Sequence, residues 1–284
     1  MDRPVAHGAV VVGLDGSVQS LSALDWAIEA AQLDGRALHL VHAHGGRRGL
    51  HEAGLAIIES AKQRATTTAP GLRVSVADVD GSGESALISA SRSAALVCVG
   101  AHGSGGFLPA ALIGSTALAV AASARCPVAV VPRSDLSGDS PRRIVVGVDE
   151  SSGCHDAIGF AFAQADLRGV RLTAVHAWHA SDRIGLSSTV APADKWRMLI
   201  GDEEAAMAES LAGWTEKYPD VEVNRVSIRK PSAAAILAVA RDAAFVVLGS
   251  RQPRPRPDLV GSPTLRKVIH AAKCPVVVVP QASA

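Results

Sequence analysis

Short runs of Val, Ile, Leu and Ala ("AVVVGL", "LHLVHA", "ALVCVG", "PVAVVP") punctuate the chain, separated by longer stretches in which apolar residues recur at helical spacing. The runs do not alternate with polar residues, as strands covered on both faces do not, so they predict a parallel sheet flanked by helices. Between the first two, "SVQSLSALDWAIEAAQLDG" predicts a helix with Ser17 as N-cap, Leu21, Leu24, Ile28 and Ala31 on one face, and an end at Gly35. The whole pattern occurs twice. "VVVGLDGS" (Val10 to Ser17) returns as "IVVGVDES" (Ile144 to Ser151), "LHLVHA" as "LTAVHA", "LVCVGAHG" as "FVVLGSRQ", and "CPVAVVP" as "CPVVVVP". The second copy is longer in its middle, which reads as a loop insertion. "PRSDLSGDSPRR" between the copies reads as an exposed linker. Two domains are expected, 1–135 and 141–284, each a five-stranded doubly wound α/β unit.

If each unit follows the flavodoxin-like order 3-2-1-4-5, the strand order reverses between its first and fourth strands. Ligands bind past their carboxyl ends. In the first copy the loops leaving those strands are "GLDGS", with Asp15, and "GAHGSGG". Gly100, Gly103, Gly105 and Gly106 permit positive φ and close approach, so successive amides can converge as an anion nest. Ser115 and Thr116 follow Gly114 at the expected start of the last helix, where unpaired amides and the helix dipole favour phosphate. No Asp or Glu occurs between Ala86 and Ser134, so nothing anionic in that stretch repels a polyphosphate. His102 lies inside the nest, turned either to phosphate or to solvent.

Taken together, "GAHGSGGFLPAALIGST", "CPVAVVP" and "VVVGLDGS" resemble the tandem-domain universal stress proteins. The ATP-binding members of that family carry Gly, two residues, Gly, nine residues, then Gly-Ser or Gly-Thr, followed by "CPV" and a Val-rich last strand. The resemblance implies ATP as ligand, with Gly13 and Asp15 bordering the adenosine and ribose. Val41, after the second strand, would offer backbone to the adenine, and Gly100, Gly103, Gly114, Ser115 and Thr116 would cradle the phosphates. A Mg2+ ion, if bound, would bridge phosphates near Asp15 or the Ser115 and Thr116 hydroxyls. The last strands, flat and Val-rich, are edges that invite pairing. The resemblance implies that they pair with each other as an intramolecular pseudo-dimer, and it leaves a homodimer and a regulatory protein partner open.

Two departures from the family pattern bear on the site. Ten residues rather than nine separate Gly103 from Gly114. The second copy keeps Gly147, Asp149, Val175, Gly249, Gly261 and Ser262 as site residues, but Gln252 replaces the second glycine and Pro263 follows Ser262. Pro253, Pro255 and Pro257 lack amide donors, although Arg251, Arg254 and Arg256 supply charge. The second site is therefore expected to be weak or empty.

Composition narrows the alternatives. With 284 residues, 48% of them hydrophobic, the chain can bury a sizeable core. A formal net charge of +1 and 3% aromatic residues argue against a nucleic-acid surface. The N-terminus has no basic segment followed by a long apolar core, so a cytoplasmic protein without a membrane span is expected. Cys98, Cys126, Cys154 and Cys274 form no CxxC pair and read as reduced thiols, three of them in or beside apolar runs. The histidines, including His39, His42, His44, His176 and His179, lack convincing metal spacing. "GSGESA" lacks the acid about 20 residues on that a dinucleotide site needs, and no P-loop or nucleophile elbow is present. The leading expectation is an ATP-binding stress-response or regulatory protein acting through occupancy. The alternatives are a slow ATP hydrolase, for which the loop offers neither a lysine nor an obvious general base, and a nucleotide-free interaction module with degenerate sites.

Overall fold

The apolar runs become strands: β1 (Val10–Leu14), β2 (Leu38–Ala43), β3 (Val74–Val79), β4 (Leu96–Gly100) and β5 (Val128–Val131) in the first copy. The second copy contributes β6 (Arg143–Val148), β7 (Leu172–Ala177), β8 (Val223–Ile228), β9 (Ala243–Ser250) and β10 (Val276–Pro280). Helices α1 (Val18–Leu33), α2 (Arg48–Thr68), α3 (Gly83–Ala90) and α4 (Ser115–Ser123) link the first set. Helices α5 (Ser152–Arg168), α6 (Ala193–Lys217), α7 (Ser232–Val239) and α8 (Pro263–Ala271) link the second. The structure, a computed structural model, describes residues 6–45, 48–103, 113–133, 143–149, 152–178, 193–250 and 262–281, so most of the expected linker lies outside the described residues.

All ten strands form one sheet in the order β3-β2-β1-β4-β5-β10-β9-β6-β7-β8, which is two 3-2-1-4-5 units joined last strand to last strand. Pairing is parallel within each unit. It is antiparallel across the join, where Val276, Val277 and Val278 face Val130, Ala129 and Val128. The two Val-rich edges thus satisfy each other's backbone groups, and neither is left exposed. Strand alternation divides the core into two layers. Val10 and Val12 of β1 face the α1 side, and Val11 faces the α3 and α4 side.

Helix α1 begins as expected, with the Ser17 hydroxyl accepting from the Ser20 amide at 3.1 Å. It ends at Asp34, followed by Gly35 at φ +61°. Its buried face runs through Ala23, Leu24, Ala27, Ile28 and Ala31, while Leu21, expected on that face, is 37% exposed. The small residues let α1 sit close to the sheet.

Side chains also seal the seam between copies. Trp26 of α1 meets Phe245 of β9 edge-on at 5.9 Å, and the Arg168 guanidinium lies over the Phe245 ring at 5.5 Å. Burial disfavours the Arg168 charge, and Glu29 and Asp34 of the first copy oppose that effect. All four cysteines are free and buried, and burial pushes the Cys154 and Cys274 thiols up to about 11. Among the described residues, no helix is long and apolar enough to cross a membrane.

Candidate functional site

The turn after β1 is held by its own side chains. The Ser17 amide donates to Asp15 Oδ1 at 3.0 Å, and Gly16 between them adopts φ +78°. The turn after β4 packs directly on it. A Cβ on Gly100 would lie 2.8 Å from the Gln19 carbonyl carbon, so β4 and the first turn of α1 approach too closely for any side chain. Ser17 Oγ donates to the His102 carbonyl at 3.5 Å. A Cβ on Gly103 would lie 2.8 Å from Asp15 Oδ2. The acid and the glycine turn, 85 residues apart at Ser17 and His102, therefore meet at the reversal of strand order.

Helix α4 opens beside this turn. Its N-cap is Gly114, which brings no side chain, and Ser115 and Thr116 are exposed. The first amides of a helix have no intrahelical partner, so α4 presents donors where an anion would sit. Gly114 itself plays a different part. Its amide donates to the Ala101 carbonyl at 2.8 Å, and Ala101 in turn donates to Val131 at 2.8 Å. Gly114 thus pins the start of α4 to the end of β4 through that amide. His102 Nε2 is buried with no hydrogen-bond partner among the described residues, so that atom does not face solvent. An open helix start and an orphaned buried nitrogen beside the glycine turn are features that a polyphosphate would use.

Several expected site residues are taken up by packing or by strand pairing. A Cβ on Gly13 would lie 2.8 Å from Leu87 Cδ1, so that glycine is required by the packing of α3 on β1. Val41 lies inside β2 rather than after it, paired with Gly13 on one side and Ala77 on the other, and is 5% exposed. Its backbone is committed to the sheet, and the chain leaves the ladder only beyond Ala43, where His44 still donates to Val79 at 3.2 Å. Val175 likewise lies inside its strand, paired with Gly147 and Val226. Gly105 and Gly106 lie outside the described residues.

The second copy builds its corresponding turn differently. Gly147 packs against Leu248 and Ile236, as Gly13 does against Leu87. The exposed Asp149 donates its amide to Cys154 Sγ at 3.3 Å. Gly249 pairs with Val279 inside the sheet. At the start of α8 the Ser262 hydroxyl accepts from the Leu265 amide at 3.1 Å, and Pro263 has no amide hydrogen to offer. Where α4 is open, α8 is closed. Gly261 and the segment with Arg251, Gln252, Pro253, Arg254, Pro255, Arg256 and Pro257 lie outside the described residues.

The structure adds two buried pairs that the spacing of histidines did not reveal. His42 Nδ1 lies 2.9 Å from Asp78 Oδ1, and His176 Nε2 lies 2.7 Å from Glu203 Oε2. The recurrence of His at the fifth position of "LHLVHA" and "LTAVHA" was the available clue. Among the described residues no three metal-ligating side chains cluster.

Comparison with known proteins follows the same two-copy division. The universal stress protein family model matches residues 7–132 and again 141–280. Universal stress protein Rv2623 of Mycobacterium tuberculosis is 31% identical over 294 residues, 95% of each chain. Universal stress protein Rv2005c of the same organism is 30% identical over 99% of this chain and 100% of its own. Among solved structures, a universal stress protein from Archaeoglobus fulgidus shares the fold at TM-score 0.71, 18% identity and 98% coverage of both chains. A family match to each half, and relatives that align from end to end, make this chain a tandem-domain member of the universal stress protein family.

Proposed function

We propose that the chain binds an adenine nucleotide, ATP, in its first copy and acts in stress response or regulation through the occupancy of that site. The observation that carries this reading is the contrast between the two last helices. Helix α4 starts at a bare glycine beside Gly103 and Asp15, whereas α8 starts with its hydroxyl cap in place and a proline behind it. Asp15 would border the ribose, and the Gly100–Gly103 turn with Ser115 and Thr116 would take the phosphates. Each charge-assisted bond there contributes about 1.5–3 kcal/mol. A divalent cation would join through Asp15 or the two hydroxyls. The second copy, with its helix start closed, would hold nucleotide weakly or not at all. On this reading the protein works in the cytoplasm and requires a protein partner that distinguishes its occupied state from its empty one.

Mass spectrometry of the denatured, freshly purified chain tests the reading. Adenine nucleotide equimolar with the wild-type chain is expected, and none with Asp15→Ala or Gly103→Val. Retention in both variants, or a wild-type chain that carries none and binds none when ATP is added, overturns it. A second reading, a nucleotide-free interaction module, is favoured by the Gly114 amide being used internally and by Gly13 being required for packing. The same measurement decides between them.

A further inference from the structure

Backbone pairing alone does not decide which copy joins which. At the join Ala129 is the register partner of Val277, and the two hold the same place in "CPVAVVP" and "CPVVVVP". A pseudo-two-fold axis therefore passes between them. The last strand of a first copy could lie against that of another first copy in the same register, with an equivalent ladder. The side chains around the axis are another matter. Gly35 and Gly169, both at φ +61°, mark the same point at the ends of α1 and α5, so Asp34 and Arg168 just before them are equivalent positions of opposite charge. In the same way Glu29 answers to Ala163 and Ala30 to Gln164. These residues meet across the seam. Gln164 Nε2 donates to Asp34 Oδ1 at 3.4 Å, and Glu29 and Asp34 oppose the cost of burying the Arg168 charge. Arg168 Nη1 is buried with no hydrogen-bond partner among the described residues, so its charge rests on those acids and on the Phe245 ring. Asp34 is also approached by Arg36 of its own copy at 3.6 Å.

We propose that Asp34 and Arg168, with Ala129 and Val277, are specificity-determining residues that make the last-strand edge of the first copy fit the second copy and not another first copy. Two first copies joined along this edge would gather two Asp34 and two Glu29 side chains with no cation from across the axis. They would also set Ala129 against Ala129, short of volume in a core position that is fully buried. Two second copies would bring two half-buried Arg168 guanidinium groups together without an acid and crowd Val277 against Val277. The unlike pair alone matches acid to base and small to large at one axis. Discrimination of this kind comes as much from the mismatch built against the wrong partner as from the contacts made with the right one. Unlike halves of two different chains would fit as well, and their union in one chain favours closure through effective concentration.

The mismatched seams can be written into one full chain, so no exchange between chains is needed to test the idea. In a Glu29→Gln background, Arg168→Asp sets acid against acid and Asp34→Arg sets base against base. Each should lower Tm by roughly 2–4 °C or more, and the two together should recover most of the combined loss. At the axis, Ala129→Val reproduces the crowded pair and Val277→Ala the underfilled one. Each should again lower Tm by several degrees, and the exchange of both should recover it. The proposal is overturned if any of the four single changes leaves Tm unmoved, or if either exchange loses as much as its two members added, since each residue would then serve only its own copy. Should a charge reversal fail to fold, Asp34→Asn and Arg168→Met carry the same cycle. Asp34→Asn should lower Tm while Arg168 is present and leave it nearly unchanged once Arg168→Met has removed the cation. An equal loss in both backgrounds, as the Arg36 contact alone would give, overturns the proposal.

Discussion

A glycine can be required by a protein neighbour or by a ligand, and the glycines of the first copy meet protein neighbours of three kinds. Gly13 faces Leu87 and Gly100 faces the Gln19 backbone, whereas Gly103 faces a carboxylate at the candidate site. Gly13→Ala would push only against the far end of a leucine. It should lower stability by about 1–3 kcal/mol in denaturant unfolding and leave nucleotide affinity unchanged. Loss of affinity in a folded Gly13→Ala protein would return that residue to the ligand. Sequence alone did not separate these roles, because the motif "VVVGLDGS" looks the same whichever neighbour the glycine serves. The meeting of Asp15 with the glycine turn was legible, since it follows from which strands are adjacent. The His42–Asp78 pair was not, because its members stand 36 residues apart and only the β2–β3 register aligns them.

At the scale of elements, the starts of α4 and α8 make opposite use of the same position. Gly114 has an extended backbone, and a Cβ there would find only ordinary contacts, 3.5 Å from the Ala101 carbonyl oxygen and 3.6 Å from the Gly103 amide. Gly114→Ser should therefore fit and cap α4 as Ser262 caps α8, adding a few tenths of a kcal/mol. By occupying an amide that phosphate would use, it should weaken binding of a fluorescent ATP analogue severalfold without lowering Tm. Undiminished affinity would show that the α4 amides are not where the ligand binds. The strands and the caps of α1 were readable from apolar runs and from Ser17 and Gly35. The displacement of Val41 from a strand end to a strand interior was not, because strand length is set by pairing with β1 and β3 and not by the composition of "LHLVHA". The open start of α4 was implied by "GST", while its pinning through the Gly114 amide depends on the path of β4.

At the scale of the molecule, β10 lies between two partners. Val277 pairs with Ala129 of β5 and Val247 of β9, so the two copies share one uninterrupted ladder. Together with the Trp26–Phe245 contact and the half-buried Arg168 beside Glu29 and Asp34 of the first copy, this should make the copies unfold as one. A single calorimetric transition is expected for the wild type, and Val277→Pro, which removes a ladder donor from an interior strand, should split it into two. Two transitions in the wild type would contradict the coupling. The alternation of strand and helix was legible in the repeated apolar runs, whereas the strand order entered as a condition and the join through the last strands as what the family resemblance implies. Which side chains fill the seam was not, since Trp26 of the first copy meets Phe245 of the second only when the edges join.

The antiparallel crossing of β5 and β10 has a directional result. Parallel strands within each half end on one rim, so the Asp15 turn and the Asp149 turn lie at opposite poles of the slab, back to back. A bound molecule at one pole cannot reach across to the other. The chain is thus a two-ended body whose near-duplicate halves wear different chemical faces, and a companion protein docking at the glycine-lined pole would meet a surface that its twin pole does not copy.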